Sequence, residues 1–159
     1  MNQHGESLSE VGGAMQLLDA VRSAWGWAGI EPVEVIAEND FGNLILKDVR
    51  GHYWRLCPED LYCEVIAISR EELDRLSTDQ DFLGDWTMRA LVDQAFQRLG
   101  ALRPRQKYCL NIPATLGGEY GGGNLGMIWF DELIRASGHI AEQIASLPDG
   151  ASIELSVVG

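Results

Sequence analysis

Basic residues are scarce in this chain. Lys and Arg number 12 against 24 Asp and Glu, a formal charge of -12. A nucleic-acid binder needs surplus Lys and Arg to displace phosphate counterions, so that class is disfavoured. An anionic membrane surface is disfavoured for the same reason. Cysteine is also sparse: Cys57, Cys63 and Cys109 form an odd set with no C-x-x-C pair, which describes no disulfide framework. No apolar run approaches the roughly 20 residues of a membrane span. The longest, Ala24 to Ile30, contains two glycines. Met1 to Glu10 is polar and the first basic residue is Arg22, so no secretory signal is read and the cytoplasm is the expected compartment.

Catalytic signatures are missing too. There is no Gly-Lys-Ser/Thr phosphate loop and no G-x-S-x-G elbow. His4, His52 and His139 have no His or Cys three or four residues away to complete a metal-ligand pair, and Cys57 and Cys63 are too widely spaced for a zinc knuckle. Lys47 and Lys107 are the only lysines, and neither sits in a nuclease-type acid-x-Lys spacing. A carboxylate pair drawn from 24 acids would be arbitrary. Neither metal nor cofactor is expected.

What is present describes one packed domain. The 159 residues are 46% hydrophobic and 23% charged. Residues 1–13 read as a loose leader and 14–159 as a single α+β domain. Ala14, Leu17, Leu18, Val21, Ala24 and Trp25 recur at helical spacing. From Pro32 the period becomes two, giving strands near Val33–Ala37, Leu44–Lys47, His52–Leu56 and Tyr62–Ile68. Their short connections favour an antiparallel meander. Ser69-Arg70-Glu71-Glu72 is a capping box opening a short helix through Leu76. A longer helix is expected over Phe82–Leu99, a strand over Tyr108–Ile112, a helix over Asp131–Leu147 and a closing strand over Ile153–Val157.

Gly121-Gly122-Gly123-Asn124-Leu125-Gly126 matches G-x-G-x-x-G literally. The candidate strand before it ends about eight residues too early, and Met127-Ile128-Trp129-Phe130 is a poor helix start, so an irregular loop is the better reading. The charge distribution says more. Residues 31–80 hold 12 acids and 5 bases, net -7. Glu34, Glu38, Asp40 and Asp48 lie near the first strands and turns, Glu59 and Asp60 on a later turn, and Glu71, Glu72 and Asp74 on the capped helix. Such a surface either aids solubility or docks a basic protein, since a field of one sign steers association.

Two stretches together resemble a known family. The first runs from Phe41-Gly42-Asn43-Leu44-Ile45-Leu46 through Tyr53-Trp54-Arg55-Leu56-Cys57-Pro58-Glu59-Asp60-Leu61. The second is Tyr108-Cys109-Leu110-Asn111-Ile112-Pro113-Ala114-Thr115-Leu116-Gly117-Gly118-Glu119-Tyr120, followed by Asn124-Leu125. Their order and spacing resemble the conserved domain of type VI secretion immunity proteins that neutralise DNase-type toxins. The resemblance implies a non-enzymatic inhibitor that binds a cognate effector stoichiometrically, in a 1:1 complex. The effector expected is one acting on nucleic acid or nucleotides, with a basic active-site cleft. The nine acids above are then candidate partner contacts, and Glu119, Tyr120 and Asn124 are loop contacts. Two alternatives stand beside it: a nucleotide-like small-ligand sensor using the glycine-rich loop 117–126, and an enzyme with dispersed carboxylates.

Overall fold

The computed structural model describes residues 8–147. The expected turn at Pro148–Gly150 and the closing strand over Ile153–Val157 lie outside the described residues. The first helix, α1, spans Leu8–Trp25, so it starts six residues ahead of the Ala14 expected and takes in part of the stretch read as a leader. Helix propensity is a weak prior, and Gly12 and Gly13 do not stop it.

The meander forms as its spacing predicts. Strands β1 (Pro32–Glu38), β2 (Leu44–Asp48), β3 (Tyr53–Cys57) and β4 (Tyr62–Ala67) make one antiparallel sheet in that order. Leu44 lies opposite Leu56, Ile45 opposite Arg55 and Leu46 opposite Trp54. Because side chains alternate along a strand, this register sorts them between two faces. Leu44, Leu46 and Leu56 point into a core with Leu17, Val21, Trp25, Phe130 and Ile134. Ile45 and Tyr53 point the other way, into a cluster with Ala67, Leu73, Phe82 and Trp86. Helices therefore cover both faces, and β2 and β3 are buried nearly throughout. Edge strand β1 carries two register shifts, which twist an edge away from unwanted pairing.

The expected cap is present, with one change of partner. Ser69 Oγ accepts from Glu72 N at 3.2 Å, opening α2 (Arg70–Leu76). Glu72 Oε1, however, accepts from Ile68 N at 3.0 Å, one residue before the Ser69 amide expected. The single helix expected over Phe82–Leu99 is two, α3 (Gln80–Thr87) and α4 (Arg89–Leu99). Met88 breaks it in the left-handed region, with φ 49° and ψ 37°. A distant residue is bonded at the break: Asn39 Nδ2 donates to the Trp86 carbonyl at 2.8 Å.

Strand β5 (Gln106–Leu110) pairs antiparallel with β6 (Leu125–Trp129), which the sequence reading did not foresee. Phe41, Ala95, Tyr108, Leu110 and Leu125 form the core between this small sheet and α4. Tyr108 N donates to Asp40 O at 2.9 Å, joining the two sheets. The last described helix, α5 (Phe130–Ala145), lies against α1. Trp25 Nε1 donates to Ile134 O at 3.1 Å, and a Cβ at Gly138 would collide with the Ala24 carbonyl. Glycine at that crossing lets the two helices approach.

Candidate functional site

The two sequence stretches that carry the resemblance meet in space. After Cys57 the chain turns through Pro58-Glu59-Asp60-Leu61, closed by Leu61 N to Pro58 O at 3.3 Å. Facing it is the 111–124 loop between β5 and β6. Asn124 organises that loop: its Oδ1 accepts from Ile112 N at 2.8 Å, while its Nδ2 donates to Ile112 O at 2.9 Å and Glu119 O at 2.8 Å. Gly118 is required by this close path, since a Cβ there would overlap the Ile112 carbonyl. Three bonds fasten the loop to the turn. Ala114 N donates to Glu59 O at 2.9 Å, Thr115 Oγ1 donates to Asp60 O at 2.7 Å, and the Tyr120 hydroxyl donates to the Asp60 carboxylate.

Beneath this junction is a cavity of about 170 Å³. Phe41, Pro58 and Glu59 come from the first stretch, Cys109 to Asn111 and Pro113 from the second, and Leu133, Ser137 and Ile140 from α5. Glu59 is 5% exposed. Burial pushes its carboxyl above the usual range, against hydrogen bonds that favour the charged form, among them Asn43 Nδ2 at 2.7 Å. Among the described residues no Lys, Arg or His lies within ion-pair distance of Glu59. The nearest cation in the network is one step away. Asn43 Oδ1 accepts from Arg55 Nε at 3.1 Å and Nη2 at 2.9 Å. Arg55 Nη1 pairs with Asp85 at 2.5 Å, and its guanidinium lies over the Trp86 and Phe82 rings. A polar line thus runs from Glu59 through the buried Asn43 and Arg55 to the exposed Asp85 on α3.

Cys57, Glu59 and Asp60 bring their donor atoms within 4.8 Å of one another. A metal would need the thiolate. Burial, with the Glu59 and Asp60 carboxylates beside it, instead pushes the Cys57 thiol strongly up, and its Sγ–H is directed to Asp60 Oδ2 at 3.7 Å. The thiol proton thus occupies this donor set. Four amides of the glycine-rich loop are likewise occupied. Gly117 N and Gly118 N donate to Ala114 O and Pro113 O, Gly122 N to Gln94 Oε1, and Asn124 N to Gly121 O. Amides already used within the fold are not free to cradle a phosphate.

The structure divides the acids singled out in the sequence. Glu59, Asp60, Glu119, Tyr120 and Asn124 come together at the cleft. Glu34, Asp40, Glu71 and Asp74 are exposed, and Asp74 is paired with Arg70 at 3.0 Å. Glu38 is paired with the buried Lys107 at 2.8 Å, and Glu72 is occupied by its cap. Two residues expected on an acidic surface are not surface acids: Glu59, and Asp48 at 4% exposure. Asp48 closes the β2–β3 turn, accepting from Arg50 N, His52 N and Trp54 Nε1 at 2.8–2.9 Å. Its burial pushes the carboxyl up, but these bonds outweigh it and hold the group below its usual range. Sequence reasoning also passed over Asp79, Asp81 and Asp85, which extend the exposed acids of α2 along α3. Counting charge by helix would have found them. Asn43 and Arg55 had no local signal, because their partners lie far away in sequence.

Residues 67–141 match the family model described as T6SS immunity protein Tdi1, C-terminal. The chain resembles a type VI secretion immunity protein. The matched segment holds α2 to α4, β5, the 111–124 loop, β6 and most of α5, so it supplies the loop and helix walls of the cavity. No curated protein matches the chain. Among solved structures, "Crystal structure of Atu4351 from Agrobacterium tumefaciens" is similar at 13% identity and TM-score 0.54, over 79% of this chain. The chain covers 64% of that protein, and the likeness is one of fold.

Proposed function

We propose that this protein binds the effector toxin of a type VI secretion system in the cytoplasm and holds it inactive as a 1:1 complex, without catalysis of its own. The observation that carries the reading is the immunity-family match over 67–141, a segment that includes both the cleft loop and the most acidic surface. Between Glu71 and Asp85 there are six acids and one base, Arg75. Toxins that act on nucleic acid or nucleotides need cationic clefts to hold phosphate, and a field of opposite sign speeds encounter with such a surface. No described helix is long and apolar enough to cross a membrane.

The test is co-expression of this chain with the toxin encoded beside it, in a heterologous bacterium. Growth is expected to be restored, and size-exclusion chromatography of the mixture is expected to give one species holding one copy of each protein. Undiminished toxicity at matched expression, with the two proteins eluting separately, would sink the idea.

A further inference from the structure

We propose that the cavity beside Glu59 is the seat for one lysine side chain of the effector. The inference rests on the immunity reading and gives it a contact point. Phe41, Leu110 and Leu133 are buried at the cavity floor, while Asn111 and Ala136 are exposed at its mouth. The walls are mostly apolar, and their polar groups are few. Ser137 already donates to Leu133 O at 2.7 Å, and the Cys109 thiol, pushed up by burial to about 11, is uncharged at neutral pH. That leaves Glu59 as the one acidic residue among those lining the cavity, buried and without a cationic partner among the described residues.

An occupant must match apolar walls and a single buried carboxyl together. Lysine does, with a four-carbon stem that packs against hydrocarbon and an ammonium head that supplies charge and donors. Arginine fits less well. Its fork is best used by a carboxylate offering both oxygens, and Glu59 Oε1 is already held by Asn43 at 2.7 Å. A neutral apolar side chain would fill the space but leave the buried carboxyl with no countercharge. The lysine therefore gains where other side chains lose, the mark of a contact that dominates an interface.

The experiment uses the full chain and two readouts. In the first, n-butylammonium, the lysine side chain in miniature, is titrated against the ¹⁵N-labelled protein, with n-butanol as the neutral control. Saturable shifts at Cys109–Asn111 and Ser137 are expected for the cation only, weakened at least tenfold by Glu59→Gln. In the second, effector affinity is measured for wild type, Glu59→Gln and Ala136→Trp, whose indole plugs the mouth. Both variants are expected to bind at least tenfold more weakly while keeping the wild-type circular dichroism. A folded Ala136→Trp or Glu59→Gln protein that binds effector as wild type does overturns the lysine seat and leaves the immunity reading standing. Wild type failing to bind effector overturns that reading, and with it the effector as source of the lysine. Absence of saturable n-butylammonium binding overturns the cation site whatever the effector does.

Discussion

The cleft at Glu59 and the acidic face of α2 and α3 carry the same sign of charge in opposite physical states. Glu71, Asp81 and their neighbours are exposed, surrounded by water and screened by salt beyond about 10 Å. They contribute little to the fold and act at a distance. Glu59 is buried, tied through Asn43 to Arg55 and Asp85, and roofed by a loop anchored at Asp60. It acts only on what enters the cavity. Charge counting finds the first region, and only packing reveals the second. Under the proposed function, the comparison predicts recognition divided between steering by solvated carboxylates and holding by a desolvated one.

The difference can be tested first through stability. Asn43→Leu is expected to have the largest effect. It leaves two Arg55 donors and the Glu59 carboxylate without their shared partner inside the protein, at a cost of ~4 kcal/mol read from urea unfolding. Gly118→Ala comes next, at ~2 kcal/mol, because the Ile112–Asn124 crossing must spread to admit a Cβ. Reversing Glu71, Asp74 and Asp81 to Lys together is expected to cost only about 1 kcal/mol. Most of that arises from Glu71 and Asp81, which sit in the first turns of α2 and α3 where the helix ends favour acids. A loss as large as that of Asn43→Leu would erase the contrast between the regions.

The smallest effect has the opposite sign. The folded state holds the Glu59 carboxyl above its ordinary range, so it binds protons more readily than the unfolded chain does. Stability from this group therefore falls as pH rises through the unfolded value, about 4.3, and on through the raised folded value. Glu59→Gln removes that penalty and leaves an oxygen for Asn43. Its melting temperature is expected to exceed wild type slightly at pH 8, with the advantage gone below pH 4. An advantage that instead grew on acidification would contradict the assigned direction.

Much of the fold was legible because its determinants are local. The capping box at Ser69, the two-residue period of the meander and the apolar stripe of α5 are each written within one element. The features that escaped are those whose cause is distant. Met88 breaks a helix where Asn39, far back in the chain, binds the Trp86 carbonyl. The Gly126–Trp129 run is a strand because β5 pairs with it across the 111–124 loop. Glu59 looked like a surface acid, since Pro-Glu-Asp is ordinary turn composition. Nothing in those three residues shows that Ala114, Thr115 and Tyr120 fold over the turn.

The most direct test of divided recognition is kinetic. Association and dissociation rates with the effector would be measured at low and physiological salt for wild type, Glu59→Gln and the Glu71, Asp74, Asp81 reversal. The reversal is expected to slow association and flatten its salt dependence while leaving dissociation unchanged. Glu59→Gln is expected to speed dissociation at least tenfold with association unchanged. An exchange of these effects, with Glu59 governing encounter and the α2–α3 acids governing residence, would contradict the account.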